Sequence, residues 1–465
     1  MHNTNTEYGS IAFNNASHLV IENGASYVED SANGTYNFVG ANNSNSNSVI
    51  VGEGGSLSLK RHIVVGGTFT KTTGNADSIG TLHVKGGTLS STKGLLLGTN
   101  VSGVDGENNN GKSYYIQDGG EVNFAGDVNI ATVWSDSYGK YNSVNSFTLN
   151  AGTFKCNWFG IYYCPGKTTI TINGGTLWAS SGFVVGRTES KDASKYYYNS
   201  GIKLYLNGGT LKIGAGLMIN DQNRNPSSTG GIWCDGGTIE PTASVNTSDG
   251  SATRNFILQD GGLAINTPSG VTFGLYQQIT GGTGALTKKG DGTLNVNKQL
   301  RSTGGLRVMA GTVKFTATGD ILGGGALEMP AGIFNCGVAT LTNRVEVLEG
   351  SMFTSTGTLT FDSNTSLKLG YHSASSWASD LSKFTAAGIS VGSGIVVPIT
   401  FETPEAFAFD DTYTLIKGAG LANTNNFSIV SATANGDDIT DGVYLAVESG
   451  DLVMKRKPYF MIKVR

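Results

Sequence analysis

A short pattern recurs along the chain: two small residues, usually Gly-Gly or Ala-Gly, then most often Thr, then an apolar or aromatic residue. Successive copies lie roughly 20 to 34 residues apart, a spacing typical of solenoid repeats. The clear copies are Gly66-Gly67-Thr68-Phe69, Gly86-Gly87-Thr88-Leu89, Gly119-Gly120-Glu121-Val122, Ala151-Gly152-Thr153-Phe154, Gly174-Gly175-Thr176-Leu177, Gly208-Gly209-Thr210-Leu211 and Gly236-Gly237-Thr238-Ile239. Degenerate copies continue at Gly261-Gly262-Leu263, Gly292-Thr293-Leu294, Ala310-Gly311-Thr312-Val313 and Ala331-Gly332-Ile333-Phe334.

Each repeat contains three short runs of β-forming residues. In one repeat these runs are 169–172 before the glycine doublet, 176–179 after it and 183–185 after a further small turn. Glycine permits the positive φ of a sharp corner, and no apolar period of 3.6 residues indicates helices. The sequence therefore predicts an all-β protein, a three-sided parallel β-helix in which each repeat forms one coil.

The alternation of side chains predicts which residues face the core, because every second residue of a strand points to the same side. Apolar positions before and after the corner are expected inside, and the threonines outside, where Thr153, Thr176 and Thr210 would stack as a hydroxyl ladder. Two coils place Gln117 and Gln259 where a core residue is expected. We therefore predict a bulge there, with Ile116 and Leu258 turned inward. On the third strand, the same reasoning predicts an outward, mostly apolar stripe that something covers; its members are Val64, Leu96, Asn129, Tyr162, Val184 and Met218.

The repeats define the expected domain organisation. Residues 1–60 are weakly repetitive and are predicted to form an N-terminal cap and the first irregular coils, and residues 61–370 the solenoid. From about Tyr371 the pattern dissolves, and residues 371–465 are predicted to form a β-rich C-terminal capping segment, with a short helical turn at 373–383.

One segment resembles a known family. The run Thr283-Gly284-Ala285-Leu286-Thr287-Lys288-Lys289-Gly290-Asp291-Gly292-Thr293-Leu294-Asn295-Val296, followed by Gly304-Gly305-Leu306-Arg307-Val308-Met309-Ala310-Gly311-Thr312-Val313, is similar to the autotransporter-associated β-strand repeat. Lys288 and the pair Gly290 and Gly292 match its pattern. The tail, 413–416 and 450–453, also resembles the end of autotransporter passenger domains. The resemblance implies a right-handed, single-stranded parallel β-helix of the pectate-lyase-like kind, secreted or displayed on a bacterial cell surface.

Acidic and amide residues recur just before the glycine corner. Asp118, Asp235 and Asp260 take this place in some coils, and Asn23, Asn150, Asn173 and Asn207 in others. Such side chains bond their own turns and can stack as a ladder, which we predict for Asn150, Asn173 and Asn207. A catalytic site would need several acids on adjacent coils, and asparagine interrupts the row. We therefore expect no catalytic residue here.

Composition excludes several function classes. The net charge of −4, from 31 basic and 35 acidic residues, offers no basic surface for nucleic acid. No apolar run is long enough to span a bilayer as a helix. The five histidines are scattered, and no His or Cys spacing indicates a metal, so neither a metal nor a cofactor is expected. Cys156 and Cys234 are predicted buried thiols; a Cys156–Cys164 bridge stays open.

Long polar insertions follow the third strand in consecutive coils, at 99–113, 134–146, 187–200 and 221–231. In a solenoid such insertions emerge side by side, and aromatic and amide side chains suit sugar stacking and hydrogen bonding, or protein contact. The reading that these loops merely decorate the rod has equal weight. The candidate ligand-binding residues are Asn108, Asn109, Asn110, Trp134, Tyr138, Tyr141, Tyr196, Tyr197 and Tyr198.

These observations favour a non-catalytic, structural or adhesive β-helix whose stacked loops meet a glycan or a surface protein, with self-association also open. Two alternatives remain: a β-helix polysaccharide lyase or glycoside hydrolase, and a phage tailspike-like fibre that would form a tight trimer. The location expected is extracellular or the bacterial cell surface. The first residues have neither the charged nor the apolar region of a signal peptide, so none is expected within this chain.

Overall fold

The computed structural model describes most of the chain. The described ranges are 18–29, 36–40, 46–66, 78–98, 111–131, 143–162, 167–187, 202–214, 216–219, 231–247, 255–371, 383–408, 411–418 and 420–458. The chain divides into two compact units, unit 1 from Met1 to Gly261 and unit 2 from Gly262 to Arg465. In the described residues both units are built almost entirely of β-strands, with one 3-10 turn at Thr440–Gly442.

Unit 1 consists of parallel strands that pair with strands of the preceding and following repeats. The first stack, which precedes the glycine corners, comprises His18–Ile21, Ser46–Val51, Ile79–Val84, Lys112–Gln117, Val144–Leu149, Lys167–Ile172, Ile202–Leu206, Ile232–Cys234 and Phe256–Leu258. The second stack, after the corners, comprises Ser26–Val28, Ser56–Leu59, Thr88–Ser91, Glu121–Phe124, the first halves of Thr153–Tyr162 and Thr176–Arg187, Thr210–Ile213 and Gly237–Pro241. The third stack comprises Tyr36–Val39, His62–Val65, Leu95–Leu97, Val128–Ile130, the second halves of the two long strands and Gly216–Ile219; Val245–Asn246 is a further short strand.

The glycine doublets form the corners between the first and second stacks of unit 1. Gly175 and Gly209 have φ of +68° and +61°, a left-handed conformation that residues with a Cβ rarely adopt. A Cβ on Gly175 would also lie 2.3 Å from the carbonyl oxygen of Gly152, one rung away. Glycine is therefore required both by the turn and by the close approach of neighbouring rungs.

Aromatic side chains fill the core of unit 1. The ring of Phe147 stacks on that of Tyr115 at 4.7 Å between centroids, and meets Phe154 and Phe159 edge-on, each at 5.0 Å. All four residues are fully buried. Such pairs add to the free energy gained by burying apolar area.

The bulge predicted at Gln117 is wrong. The strand Lys112–Gln117 pairs with both neighbours without a register shift, Gln117 is fully buried and Ile116 is half-buried on the outer side. The amide is satisfied inside: its Nε2 donates to the carbonyls of Gly120 and Thr153, and its Oε1 accepts from the Tyr115 hydroxyl at 2.8 Å. In the other coil, Leu258 is turned inward, as predicted, and Gln259 is exposed.

The third stack of unit 1 is buried on both sides at three of its rungs. Its inward residues are buried, and so are three members of the stripe predicted to face outward, Val64, Leu96 and Val184. The stripe is therefore covered at these three residues. Asn129 is half-buried, and the side chains of Tyr162 and Met218 lie outside the described part of the chain.

Unit 2 continues the same strand type. One stack of parallel strands comprises Leu263–Asn266, Leu286–Lys289, Leu306–Val308, Leu327–Met329, Arg344–Val347, Ser366–Gly370, Val397–Thr403 and Phe427–Ala434, the last also paired antiparallel with Asp437–Asp438. A second comprises Thr272–Leu275, Thr293–Val296, Thr312–Phe315, Gly332–Cys336, Ser351–Phe361 and Lys383–Val391, with Ala339–Leu341 on Ser351–Phe361. Ile279–Gly281 pairs with Leu300–Ser302, and Thr412–Ile416, Asp451–Arg456 and Val443–Glu448 form an antiparallel sheet.

The core of unit 2 contains an aromatic ladder and a buried lysine. Phe334, Phe353 and Phe384 stack on successive rungs, with centroids 5.1 and 4.3 Å apart. The fully buried Lys288 donates from Nζ to the carbonyls of Lys289 and Gly290, at 2.7 and 2.5 Å, and to that of Ala310 at 3.2 Å. Burial lowers the pKa of Lys288 to about 8, while the charge of Asp291 opposes that shift.

The observed architecture is all-β with long parallel stacks, which is compatible with the predicted β-helix. The helical turn predicted at 373–383 falls almost wholly outside the described residues.

Candidate functional site

The nine candidate ligand-binding residues of the polar loops all lie outside the described residues, so their role stays a prediction. They are Asn108, Asn109, Asn110, Trp134, Tyr138, Tyr141, Tyr196, Tyr197 and Tyr198. The surfaces described below belong to the strands and corners of the two units.

An amide column runs along the corner that ends the first stack of unit 1. Asn173 donates from Nδ2 to Oδ1 of Asn150 at 2.8 Å, and Asn207 donates in the same way to Asn173 at 2.9 Å. Asn150 in turn donates to Oδ1 of Asp118 at 2.7 Å. Each asparagine therefore donates to the previous rung, Asn150 and Asn173 also accept from the next one, and all four side chains are exposed.

The acidic residues of this corner hold turns and neighbours. Oδ2 of Asp118 lies 2.6 Å from Nε2 of His83. The hydrogen bond from Asn150, followed by that from His83, lowers the pKa of Asp118. Asp235 accepts the backbone N–H of Gly261 at 2.6 Å, and Asp260 is exposed at the same turn.

Asp118 and Asp235 are not on adjacent rungs. The rungs of the three asparagines separate them. Cleavage of a glycosidic bond needs two carboxylates a few ångströms apart. Asp118 and Asp235 therefore do not form such a pair.

A hydroxyl column follows the corner on the second stack of unit 1. Thr153, Thr176 and Thr210 are direct partners in register, and Thr238 follows on the next rung. Thr153 is exposed and the others are half-buried. The column therefore presents hydroxyl groups at the spacing of the rungs, about 4.8 Å.

A cationic and aromatic column lies beside the hydroxyl column. The indole of Trp178 sits between two ammonium groups, with Nζ of Lys155 at 4.3 Å and Nζ of Lys212 at 5.2 Å from the ring centroid. Lys212 also pairs with Glu240 at 2.9 Å. Sequence analysis did not select these residues, although each stands two positions after the motif threonine, or its equivalent, of its coil. Cation–π contacts on both faces leave the indole little room for a ligand.

An aromatic pair lies on the outer side of the first stack. The rings of Tyr205 and Trp233, partners on adjacent rungs, stack at 5.2 Å, and Ile257 follows in register. All three are half-buried. Tyr205 and Trp233 stand two positions before Asn207 and Asp235, so the aromatic and amide columns are adjacent on the surface.

A charged column marks the outer face of unit 2. Glu328 binds Arg307 at 2.7 Å and also Arg344, while Glu346 binds Lys368 at 3.2 Å. Lys368 extends the network to Glu402 at 3.2 Å. Burial opposes ionisation of Glu328, but the bonds and charge of Arg307 and then Arg344 outweigh it and lower its pKa.

Glu328 is therefore held ionised by its two arginine partners. A general acid needs the opposite, a raised pKa. The charged column fits a structural ion-pair ladder.

A cavity of about 480 Å³ opens where the charged column ends. Glu349, Glu402, Tyr371, Thr403 and Thr433 are among its lining residues. The hydroxyl of Tyr371 donates to the carbonyl of Leu415 at 2.8 Å. The cavity therefore brings two carboxylates to one concave place in unit 2.

The thiols of the described residues are inert. Cys156, Cys234 and Cys336 are free and buried, and Cys164, the other member of the open Cys156–Cys164 pairing, lies outside the described residues. Burial raises the pKa of Cys336 to about 11 and shifts those of Cys156 and Cys234 further upward. Among the residues described, no cluster of His, Cys, Asp and Glu could hold a metal ion. The same part of the chain forms no helix with the length and apolar character needed to cross a bilayer.

Comparisons with known protein families, with curated proteins and with solved structures find no match for this chain.

Proposed function

We propose that the chain is a right-handed, three-sided parallel β-helix that acts as a non-catalytic, structural or adhesive element outside the cell. The support for the fold is the order of strands in unit 1. One repeat contributes a strand to each of three stacks, and every strand pairs with its counterparts in the adjacent repeats. The similarity of 283–313 to the autotransporter-associated repeat favours the right hand and an exported location.

The observation that carries the functional proposal is the formation of continuous side-chain columns. Amide, hydroxyl and aromatic groups repeat at the rung spacing on the outer faces of unit 1. A surface with the same group every few ångströms can bind a polymer at several points, and weak contacts then add to useful avidity. The loops at 99–113, 134–146, 187–200 and 221–231 would add aromatic and amide contacts to this surface.

A glycan array, run together with an assay for reducing ends and unsaturated products, tests the proposal. We expect binding to at least one glycan without turnover. Replacing Tyr196, Tyr197 and Tyr198 by serine should weaken that binding, whereas the outward Thr148→Ser should leave it unchanged. Turnover that survives stringent purification, or the absence of binding to both glycans and cell-surface protein, would contradict the proposal.

The cavity of unit 2 favours a second candidate function, cleavage of a polysaccharide. Glu349 and Glu402 line it together, and Lys368 lies beside Glu402. Paired carboxylates and a nearby cation are what glycan-cleaving sites use. In that case, Glu402→Gln and Glu349→Gln would each lower the rate of product formation by at least about a hundredfold, since acid–base catalysis contributes a factor of that size to the rate. Asp437→Asn, an exposed acid of the same unit, is the matched control.

A further inference from the structure

Trp158 lies at the corner where the strand Thr153–Tyr162 passes from the second stack to the third. The register shifts between Cys156 and Trp158, and Trp158 then stands opposite Gly182, with Gly216 on the rung after that. A Cβ on Gly182 would lie 2.3 Å from Cζ3 of the indole, and one on Gly216 would lie 3.0 Å from Cη2. The indole therefore extends along the stack, over the positions of Gly182 and Gly216, which have no side chain.

The arrangement leaves an aromatic surface at a corner. Trp158 is half-buried, so part of its ring system remains open to solvent. If Trp158 were packed as an ordinary core residue, side chains on the next two rungs would pack against its ring. Glycines stand there instead, at Gly182 and Gly216. Partly exposed indoles are surfaces on which the apolar face of a sugar ring stacks.

A chain of polar groups borders the indole on three successive rungs. Oδ1 of Asp127 accepts from Nδ2 of Asn157 at 2.8 Å and from the backbone N–H of Trp158 at 3.2 Å. Ser181 donates from Oγ to Oδ1 of Asn157 at 2.5 Å. These bonds fix the three side chains, all half-buried, and they use only one carboxylate oxygen and one amide hydrogen.

We propose that Trp158, with Asp127, Asn157 and Ser181, forms a binding subsite for a neutral pyranose unit of a glycan. The sugar ring stacks on the indole, and its hydroxyls donate to Oδ2 of Asp127 and accept from the second N–H of Asn157. The Asp127 carboxylate repels a uronate or a sulfated sugar, so the ligand is neutral. This inference rests on the proposed glycan-binding role and assigns it to residues that are not part of the polar loops.

Isothermal titration of the full chain with cellohexaose, xylohexaose, mannohexaose and hexagalacturonate tests the subsite. We expect at least one neutral hexasaccharide to bind, and hexagalacturonate to bind more weakly. Trp158→Ala and Asp127→Asn should each reduce the affinity by about tenfold, and Trp158→Phe, which keeps a smaller ring, by less. Trp178→Ala is the matched control, because Lys155 and Lys212 flank that indole. The affinity of this variant for the glycan should equal that of the wild type.

The possible results separate this inference from the proposed function. Wild-type affinity in the folded Trp158→Ala or Trp158→Phe variants overturns the subsite. If the serine variant of Tyr196, Tyr197 and Tyr198 then loses binding, the glycan-binding role stands without it. Failure of every neutral hexasaccharide to bind at millimolar concentration also overturns the subsite, as does preference for hexagalacturonate. Loss of affinity confined to Trp158 and Asp127 variants supports it.

Discussion

Removing the ring of Phe147 should destabilise unit 1 more than any change on its outer faces. The side chain is fully buried and contacts three other rings, those of Tyr115, Phe154 and Phe159. A buried Phe→Ala substitution costs about 3–5 kcal/mol. Because three rings lose a partner and the strand of Phe147 is held by pairing with both neighbours, so that it cannot collapse into the space, we expect a loss near the upper end, about 4–5 kcal/mol.

The neighbouring residue provides the control. Thr148 is on the same strand, is half-buried and points outward. Its replacement by alanine should change the free energy of unfolding by no more than about 0.5 kcal/mol. The two variants therefore test the inward and outward alternation at adjacent positions of one strand.

Urea unfolding followed by tryptophan fluorescence measures both changes, since Trp158, Trp178 and Trp233 lie in unit 1. Phe147→Ala should lower the midpoint strongly, and Thr148→Ala should leave it near the wild-type value. A loss below 1 kcal/mol for Phe147→Ala would refute the reasoning, as would equal losses for the two variants.

Three further predictions concern the buried lysine, a corner and the amide column. The pKa of Lys288 is about 8 in the folded chain and ordinarily 10.5, so the unfolded chain binds more protons between these pH values. The free energy of unfolding of the wild type, relative to that of Lys288→Met, should therefore rise by about 3 kcal/mol from pH 8 to 10.5 and be constant below pH 8. A difference that does not change with pH would count against the burial of the charged lysine. Gly209→Val should lower the melting temperature by far more than Gly24→Val, because a Cβ on Gly209 would lie 2.6 Å from the backbone of Gly174 and one on Gly24 meets nothing; calorimetry giving equal shifts would contradict the close approach. Asn173→Ala should cost about 0.5–1.5 kcal/mol in urea unfolding, and a variant as stable as the wild type would show that the amide column adds no stability.

The alternation and the corners could be predicted from the sequence because they are local. Leu177 is buried and Thr176 faces outward, and the next repeat has the same order at Leu211 and Thr210. Period 2 decides this within four residues, and the glycine doublet marks the position of the turn.

The burial of the hydrogen-bonded Gln117 side chain could not be predicted in the same way. Its amide is bonded to the carbonyl of Thr153, which lies 36 residues further along the chain. The polar character of a single residue favoured a bulge, whereas a partner on the next rung made burial acceptable.

The cross-rung contacts of Trp178 have a similar origin. Lys155 and Lys212 are 23 and 34 residues from Trp178 along the chain. These separations are unequal because the polar insertions differ in length. Only the observed register therefore shows that the three side chains are neighbours. The subsite at Trp158 could not be predicted from the sequence, because the residues that make room for the indole are Gly182 and Gly216. These two glycines lie outside the repeated doublets.

Distances between outward positions of the second stack test the parallel, in-register arrangement most directly. Spin labels introduced as an unnatural amino acid at Thr238 and, in turn, at Thr176, Glu121 and Ser56 would be two, four and six rungs apart. Pulsed electron–electron double resonance measures the distances between the labels. These distances should follow backbone separations of about 10, 19 and 29 Å and grow by about 4.8 Å per rung. Separations that fail to grow evenly with rung number, as antiparallel hairpins or a propeller would give, would contradict the stacked architecture and the surface columns that depend on it.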